Sequence, residues 1–326
     1  MRFVIYGPGG VGGTIAARLH QGGEGVVLIG RGEHARVLQR AGLRFVSAEG
    51  EQTLRIPTVL HPAEVDWQPD DVVLLTMKSQ HTADALDQLS MSAPMDIAVV
   101  CAQNGVANER MAIRRFANVY GMLINLPAMH LSPGEVLSFG EGVSGILDSG
   151  RFPRGLDDRV VDLTATLANC GFLADPDPKI MRKKYAKLLL NLGNALEAAT
   201  DGARDVQDLA DLLQQEARAC FDAAGIECGE LGEAQGVGRK IYTFARLPGQ
   251  ERFGGSTWQS INRHTGSIET DFLNGEIAQL GRLHGVPTPV NELCQSLVRQ
   301  MLRNSLPVGH YSVDSVRAMA AAARLP

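Results

Sequence analysis

A glycine-rich run close to the amino terminus has the residue types and the spacing that bind a diphosphate group. The run is Gly7-Pro8-Gly9-Gly10-Val11-Gly12, which matches the pattern G-x-G-x-x-G. In this pattern the first glycine permits a tight turn, the second lets backbone approach a pyrophosphate, and the third permits a helix to pack closely on a strand. The pyrophosphate then lies against free N–H groups at the start of that helix. The run predicts a dinucleotide site, and the alternative is a glycine-rich turn in some other α/β protein.

A second residue suited to phosphate binding follows the next apolar run, at 26–29. Sites for NAD usually carry Asp or Glu here to bind the ribose 2′-hydroxyl, whereas this chain has Gly30-Arg31. Arginine can donate two parallel hydrogen bonds to a phosphate group. The position therefore favours NADP over NAD, with a solvated surface charge as the alternative interpretation of Arg31.

Three polar residues, Lys187, Asn191 and Asn194, interrupt a stretch that is otherwise almost entirely apolar. Their spacing of i, i+4 and i+7 places them on one face of a single helix predicted over 179–199. Buried amides and a buried ammonium need partners, which a polar ligand would supply. The alternative is a solvent-facing stripe. Lys183 and Lys184, one turn earlier, are predicted to be exposed.

Polar loops follow two further apolar runs, at 72–76 and 97–101. The first loop contains Lys78, and the second contains Gln103-Asn104-Gly105. Because ligands of open α/β sheets bind outside the carboxyl ends of the strands, both loops are expected at the ligand edge. Lys78 and Asn104 are therefore candidate ligand-binding residues, although a loop lysine and an Asn-Gly turn are ordinary features by themselves.

The elements that would position these residues alternate between strand and helix in the first half of the chain. Strands are predicted at 3–6, 26–29, 72–76, 97–101 and 136–139, helices at 35–41, 82–89 and 107–116, and a hairpin at 43–56. This alternation indicates the α/β class, with a Rossmann-type doubly wound parallel sheet.

The run Asp175-Pro176-Asp177-Pro178 ends the alternation, because proline continues neither a helix nor a central strand. Beyond it, helical periodicity predicts helices at 179–199, 206–224, 236–244, 269–284 and 290–305 and no strand. The prediction is a dinucleotide-binding Rossmann domain at 1–175, followed by a mostly α-helical domain at 176–326.

Composition narrows the class of protein. The chain has 326 residues, a net charge of −5 and 44% hydrophobic residues, which is typical of a soluble globular protein and argues against a nucleic-acid partner. No apolar run approaches the length of a membrane span, and no signal peptide or metal-binding pattern is evident. Five scattered cysteines indicate reduced thiols, and hence a cytoplasmic protein.

Taken in order, these residues resemble the ketopantoate reductases, the 2-dehydropantoate 2-reductases of pantothenate synthesis, over nearly the whole chain. The residues that carry the resemblance are Gly7-x-Gly9-x-x-Gly12, Arg31, Thr76-x-Lys78, Gln103-Asn104-Gly105, Lys187-Leu-x-x-Asn191, Ser256-x-x-Gln259 and Glu269-x-Asp271-x-x-Asn274-Gly275. The resemblance implies an N-terminal NADPH domain, a helical C-terminal domain and an active site in the cleft between them.

The resemblance also implies roles for individual residues. A lysine matching Lys187 protonates or hydrogen-bonds the ketone oxygen as hydride arrives, and residues matching Asn191 and Ser256 hold the substrate. The glutamate matching Glu269 lies by the reacting centre and the cofactor. Residues matching Lys78 and Asn104 lie near both the cofactor and the substrate.

One position departs from the family pattern. The second helical asparagine of the family often falls eight residues after the lysine, where this chain has Ala195. Asn194 precedes it directly, and we include Asn194 among the predicted substrate-binding residues.

The sequence therefore predicts reduction of a small 2-oxo acid to a 2-hydroxy acid with NADPH, with ketopantoate as the leading substrate. One alternative is a related reductase of another 2-oxo acid, and another is a non-catalytic NADP(H)-binding regulator. A homodimer through the helical domain is also expected. No membrane association and no bound metal are expected.

Overall fold

The computed structural model describes residues 1–239, 242–247, 254–262 and 268–325. The chain divides into two compact units, the first formed by Met1–Lys184 with Gly232–Glu251, and the second by Tyr185–Leu231 with Arg252–Pro326. The expectation that the functional domains divide at residue 175 stays a prediction.

Strands and helices alternate through the first half of the first unit, as the sequence predicts. In chain order these elements are β1 (Arg2–Tyr6), α1 (Gly10–Gln21), β2 (Gly25–Ile29), α2 (Gly32–Ala41), β3 (Leu43–Ser47), β4 (Gly50–Leu54), β5 (Thr58–Val59), β6 (Asp71–Leu75), α3 (Thr82–Ser90), β7 (Ala98–Cys101), α4 (Asn108–Ala112), β8 (Asn118–Met122), β9 (Ala128–Met129), β10 (Glu135–Ser138), β11 (Gly140–Glu141), β12 (Ser149–Arg151) and α5 (Asp158–Asn169). Short 3-10 helices lie at Pro62–Glu64 and Ser79–His81.

The main sheet of the first unit contains, in the described part of the chain, seven strands in the order β12-β8-β7-β6-β1-β2-β5. Neighbouring strands are parallel, except that β12 is antiparallel to β8. The strand order reverses at β1, with β2 on one side and β6 on the other. Such a reversal is the position at which doubly wound sheets bind dinucleotides. The predicted α/β class with a doubly wound parallel sheet is confirmed.

Alternation of side chains along β1 explains why this sheet has an apolar core on each face. Phe3 and Ile5 join the core that includes α1 and α5, whereas Val4 joins the core that includes α3 and α4. The strands β6 and β7 are buried along their whole length. Continuous burial is expected of parallel strands that helices cover on both faces.

A second sheet has the order β4-β3-β10-β9 and contains the predicted hairpin. The strands β3 and β4 pair antiparallel, and β10 pairs parallel to β3. Helix α1 packs against this sheet as well, since a Cβ added at Gly13 would lie 2.6 Å from Val136 Cγ2.

The remaining elements are mostly helical, as predicted. They are α6 (Ile180–Asn191), α7 (Asn194–Thr200), α8 (Gln207–Ala223), α9 (Leu231–Gln235), β13 (Thr243–Phe244), α10 (Ser256–Asn262), α11 (Asn274–His284), α12 (Pro289–Arg303) and α13 (Val313–Ala323). A 3-10 helix at Thr270–Phe272 precedes α11, so the helix predicted from residue 269 begins later than expected.

Two of the predicted helices are wrong in detail, and glycine is involved in both. The helix predicted over 179–199 is interrupted at Leu192 and Gly193, and glycine has a low helix propensity. The helix predicted at 236–244 is absent from the described residues of that stretch. There α9 ends at Gln235, since Gly236 and Gly238 have φ of +75° and +84°, and the strand β13 follows and pairs with β11.

The fold predicts different effects of alanine at two glycines of the same turn. A Cβ at Gly12 would lie 2.3 Å from Thr76 Oγ1 and 2.6 Å from the Gly7 carbonyl oxygen, whereas a Cβ at Gly9 meets nothing within 4 Å. We expect Gly12→Ala to lower the free energy of unfolding by about 1–3 kcal/mol through overpacking. Gly9→Ala is the matched control and should change it by less than about 0.5 kcal/mol. Urea denaturation measures both, and equal losses would contradict this account of the turn.

Candidate active site

The glycine-rich turn connects the end of β1 to the start of α1 and is closely packed on one side. Gly7 has a φ of +99°, and a Cβ there would lie 2.7 Å from the Met77 nitrogen. Gly12 packs against the end of β6, as described above. Gly9 caps α1 with open space beside its Cα. The turn therefore has glycine at the positions where a side chain would overlap the rest of the chain. It has open space at Gly9, the residue predicted to approach a pyrophosphate.

Two side chains to which the sequence assigned no role, Thr76 and His34, hold this turn in place. Thr76 Oγ1 lies 3.0 Å from the Tyr6 carbonyl oxygen and 2.9 Å from that of Gly7, which joins the ends of β1 and β6. His34 Nδ1 accepts a hydrogen bond from the Gly134 N–H at 2.8 Å, so His34 Nε2 donates to the Pro8 carbonyl at 2.7 Å. Burial lowers the pKa of His34, which favours this neutral form.

Cationic residues gather at the carboxyl edge of the main sheet. Arg31 is exposed at the start of α2 and forms no ion pair or hydrogen bond within the described ranges. Lys78 is half-buried and precedes the 3-10 helix that ends at His81. Desolvation lowers the pKa of His81, and the charges of Arg31 and Lys78 lower it further, so both cations lie near that ring. The edge has the positive charge that a phosphorylated ligand requires.

The loop after β7 carries a buried acceptor without a partner. Gln103 Nε2 donates to Thr82 Oγ1 at 2.7 Å and to the Met77 carbonyl at 3.1 Å, which ties this loop to the loop after β6. Asn104 Oδ1 is buried, and no described group donates to it. Because buried polar atoms are normally hydrogen-bonded, a ligand is the expected donor.

These four features of the first unit fit a dinucleotide. They are the open turn at Gly9, the first-turn N–H groups of α1 that have no intrahelical partner, the exposed Arg31 and the unsatisfied Asn104 oxygen. All of them follow strands that end at the same edge of one sheet. The sequence predicted each of these residues, and the topology brings them together.

Lys187 and Asn191 lie one turn apart on α6, both with unused hydrogen-bonding capacity. Lys187 is half-buried and forms no ion pair or hydrogen bond with the part of the chain that the structure describes. Desolvation by burial lowers its pKa from 10.5 to about 8. Asn191 is buried, and its Nδ2 has no acceptor among the described residues. The two side chains form a polar pair that a carbonyl-containing ligand would satisfy.

The prediction that Lys183 and Lys184 are exposed is wrong. Lys183 Nζ lies 2.9 Å from Asp148 and 2.8 Å from Asp177, and Lys184 Nζ lies 2.6 Å from Glu109. Asp148 and Glu109, far away in sequence, therefore hold the two lysines, and the nearby Asp177 is a second partner of Lys183. Lys187 is the lysine of α6 that the described residues leave without such a partner.

Asn194 begins a new helix, so the shared face predicted for it is not continuous with that of Lys187. It lies instead beside Gly255, where an added Cβ would be 3.4 Å from Asn194 Oδ1. The Gly255 N–H is 2.9 Å from both carboxylate oxygens of Glu197, which holds the residue before Ser256 against α7. Ser256 is the first residue of α10, and its side chain lies outside the described part of the structure. Ala195 is buried.

The segment that carries Glu269 is attached to the residue after α6 by Asn274. Glu269 is buried and precedes the 3-10 helix Thr270–Phe272. Asn274 Nδ2, at the start of α11, lies 3.2 Å from the Leu192 carbonyl oxygen and 3.1 Å from Asn291 Oδ1. The second unit therefore brings the segment of Glu269 near the helix end that carries Asn191.

Other parts of the described chain offer no competing site. Burial raises the pKa of Cys220 to about 11 and that of Cys294 to about 12, which keeps these thiols protonated and unreactive. A groove lined partly by Met1, Asp70 and Asn118 lies at the amino ends of the main-sheet strands, away from the carboxyl edge. None of the helices in the described ranges combines the length and hydropathy of a membrane span.

Comparison with known proteins decides the family. Residues 3–149 match the family model described as "Ketopantoate reductase PanE/ApbA", and residues 179–302 match its C-terminal counterpart. The chain belongs to the ketopantoate reductase family. The 2-dehydropantoate 2-reductase of Pyrococcus horikoshii is 28% identical over 304 residues, which cover 92% of this chain and 97% of that protein.

Solved structures agree with this assignment. The ketopantoate reductase of Ralstonia eutropha superposes with a TM-score of 0.78 at 25% identity, covering 94% of this chain and 99% of that one. D-mandelate dehydrogenase, solved with NADH and anilino(oxo)acetate, has a TM-score of 0.81 at 23% identity with the same coverage, which shows the shared fold. As a member of this family the protein is an NADP-dependent oxidoreductase, as the sequence predicted.

We expect Arg31→Ala to raise the Michaelis constant for NADPH roughly 10- to 100-fold, the range for losing hydrogen bonds to a charged group. The constant for NADH should change little, because NADH has no 2′-phosphate. Initial rates with each cofactor measure the effect. Arg36→Ala removes another exposed arginine from α2 and serves as the control. Equal effects of Arg31→Ala on both cofactors would show that Arg31 does not bind the 2′-phosphate.

Proposed function

We propose that the protein reduces 2-dehydropantoate, also called ketopantoate, to pantoate with NADPH. The observation that carries this proposal is Lys187, which has no partner among the described residues and a pKa lowered to about 8. It lies one helical turn from the Asn191 amide, whose nitrogen is also unsatisfied there. The names of the relatives that match over nearly their whole length support the choice of substrate.

Lys187 has the properties of the acid that a ketone reduction requires. The bound nicotinamide would supply a hydride to the carbonyl carbon. Negative charge then develops on the ketone oxygen, where a positioned ammonium stabilises it and donates a proton. An ordinary lysine is a poor acid near neutral pH, and the lowered pKa of Lys187 brings its proton closer to the working range.

The remaining predicted residues fall into two groups. We assign the turn from Gly7 to Gly12, with Arg31, Lys78 and Asn104, to the cofactor, and Lys78 and Asn104 also to the substrate. Asn191, Asn194 and Ser256 are assigned to the substrate, and Glu269 to the neighbourhood of the reacting centre and the cofactor. The unsatisfied polar atoms of Asn104 and Asn191 support this division.

Asn194 is the position at which this chain departs from the family pattern, and it bears on the choice of 2-oxo acid. The half-buried Asn194 lies beside Gly255, whereas Ala195 is buried. We therefore propose that Asn194 supplies the amide that the family places one residue later. A reductase of another 2-oxo acid is the second candidate, because a displaced amide changes the donor geometry of the substrate pocket.

We also propose a homodimer and a cytoplasmic location in pantothenate synthesis. A Staphylococcus aureus ketopantoate reductase with the same fold is described as dimeric. Light scattering at several protein concentrations would test the dimer.

A panel of 2-oxo acids tests the substrate. We expect the loss of NADPH absorbance to be fastest with ketopantoate, followed by other branched 2-oxo acids, since family membership and the polar pair on α6 both favour this class. Michaelis constants and turnover numbers for each acid give the ranking. Faster turnover of a different 2-oxo acid would replace ketopantoate as the substrate, and tight NADPH binding without any turnover would contradict the proposed function.

We expect Lys187→Ala to lower turnover by about 10²- to 10⁴-fold, the range for general acid and oxyanion contributions. The dissociation constant of NADPH should stay nearly constant, because Lys187 is not among the residues assigned to the cofactor. Lys179→Ala, at an exposed lysine just before α6, is the control and should keep full turnover. A fully active Lys187→Ala enzyme, or one that loses folding rather than rate, would return Lys187 to a structural role.

The pH dependence gives a second readout of the same residue. Because Lys187 is cationic below its pKa of about 8, kcat/KM should fall as the pH rises through that value. Lys187→Arg should move this fall to much higher pH, since guanidinium does not deprotonate in this range. An unchanged profile in Lys187→Arg would assign the titration to another group.

A further inference from the structure

A lysine that the sequence analysis treated as exposed lies buried beneath the Gln103-Asn104-Gly105 loop. Lys184 Nζ donates to the Cys101 carbonyl at 3.1 Å and to the Gln103 carbonyl at 3.0 Å. Cys101 is the last residue of β7, so these carbonyls lie where the strand ladder ends. The ammonium of Lys184 therefore supplies hydrogen bonds that the sheet cannot supply there.

The third partner of Lys184 is Glu109, which belongs to the first turn of α4. The ammonium lies 2.6 Å from Glu109 Oε1, and both side chains are almost completely buried. In the described chain, the Glu109 carboxylate has an ion pair with Lys184 and no further partner. A buried ion pair costs desolvation that its attraction only partly offsets, so such a pair is weak evidence for stability and calls for another explanation.

A second set of hydrogen bonds attaches the same loop to the loop after β6. Asn108 Nδ2 lies 3.1 Å from Ser79 Oγ and 3.3 Å from the Asn104 carbonyl, and its Oδ1 accepts from Thr82 at 2.8 Å. Gln103 completes the connection through Thr82. The backbone of residues 101–104 is thus held both by neutral groups and by the charged pair.

We propose that Lys184 and Glu109 form a positioning pair that fixes the backbone on both sides of Asn104, so that the Asn104 side chain is presented to the ligand. This inference rests on the proposed function for the role of Asn104. Glu109 anchors the ammonium, and the ammonium holds the Cys101 and Gln103 carbonyls. Neither residue contacts the ligand; both act through the loop.

The test replaces the charged pair by apolar residues of similar volume, Lys184→Met with Glu109→Leu. This double variant leaves no unpaired buried charge, so it should still fold, with a melting temperature a few degrees lower because two buried carbonyls lose their donor. Without that donor the loop should also shift. We expect kcat/KM for the 2-oxo acid to fall about 10²-fold, the usual effect of a small misplacement of an active-site group.

Two measurements distinguish positioning from a purely structural role. Hydrogen exchange of peptides spanning 101–109 should become faster in the double variant, and the NADPH dissociation constant, measured by titration, should rise. Lys183→Met is the matched control, because Lys183 belongs to the same helix and its ion pairs in the described chain are with Asp148 and Asp177, outside this loop. It should leave the exchange of 101–109 and kcat/KM unchanged.

Several outcomes would overturn the proposal. A double variant with wild-type kcat/KM and wild-type exchange in 101–109 would show that the loop does not need the pair, and a double variant that does not fold would show that the pair serves folding. If the wild-type enzyme reduces no 2-oxo acid, the proposed function fails. Exchange and NADPH affinity in the variants still decide whether the pair positions the loop.

Discussion

The close approach of α1 to the ends of β1 and β6 is the contact on which the first unit depends. Gly7 and Gly12 allow this approach, because a side chain at either position would overlap backbone or Thr76. Thr76 then joins the two strand ends through the carbonyls of Tyr6 and Gly7. Since the strand order reverses here, the same contact opens the edge at which a dinucleotide binds. The positions of Arg31, Lys78 and Asn104 follow from it.

Helix α6 shows how two lysines of one helix acquire different chemistry from their surroundings. Lys184 is buried with a carboxylate and two carbonyls around its ammonium, so its charge is compensated. Lys187, three residues later, is desolvated without a compensating partner in the described chain, and its pKa falls to about 8. The compensated charge of Lys184 makes it a structural cation. The uncompensated charge of Lys187 makes it an acid that can release a proton near neutral pH.

Two of the unsatisfied polar atoms in the described chain belong to residues that the sequence marked for ligand binding, Asn104 and Asn191. Gln103 and Asn274 also keep an unsatisfied buried oxygen, but their amide nitrogens hold the backbone. Because an unpaired buried amide is costly, a ligand is the expected partner at Asn104 and Asn191. Burial, charge and hydrogen bonding thus support the same assignment from independent directions.

The sequence by itself determined the fold class and most candidate residues, because these depend on local patterns. Apolar runs predicted four strands of the main sheet, β1, β2, β6 and β7, and the glycine spacing with Arg31 predicted the dinucleotide turn. The helical periodicity of the second half predicted its mostly helical character. These features are decided by interactions between residues close together in the chain.

Tertiary structure decided the properties that depend on residues far apart in the chain. The ion pairs of Lys183 and Lys184 required Asp148 and Glu109, and the neutral form of His34 required the Gly134 N–H. Each of these interactions joins groups at least 35 residues apart. Burial and dielectric environment are set by such long-range packing, so the lowered pKa of Lys187 became visible only in the folded chain.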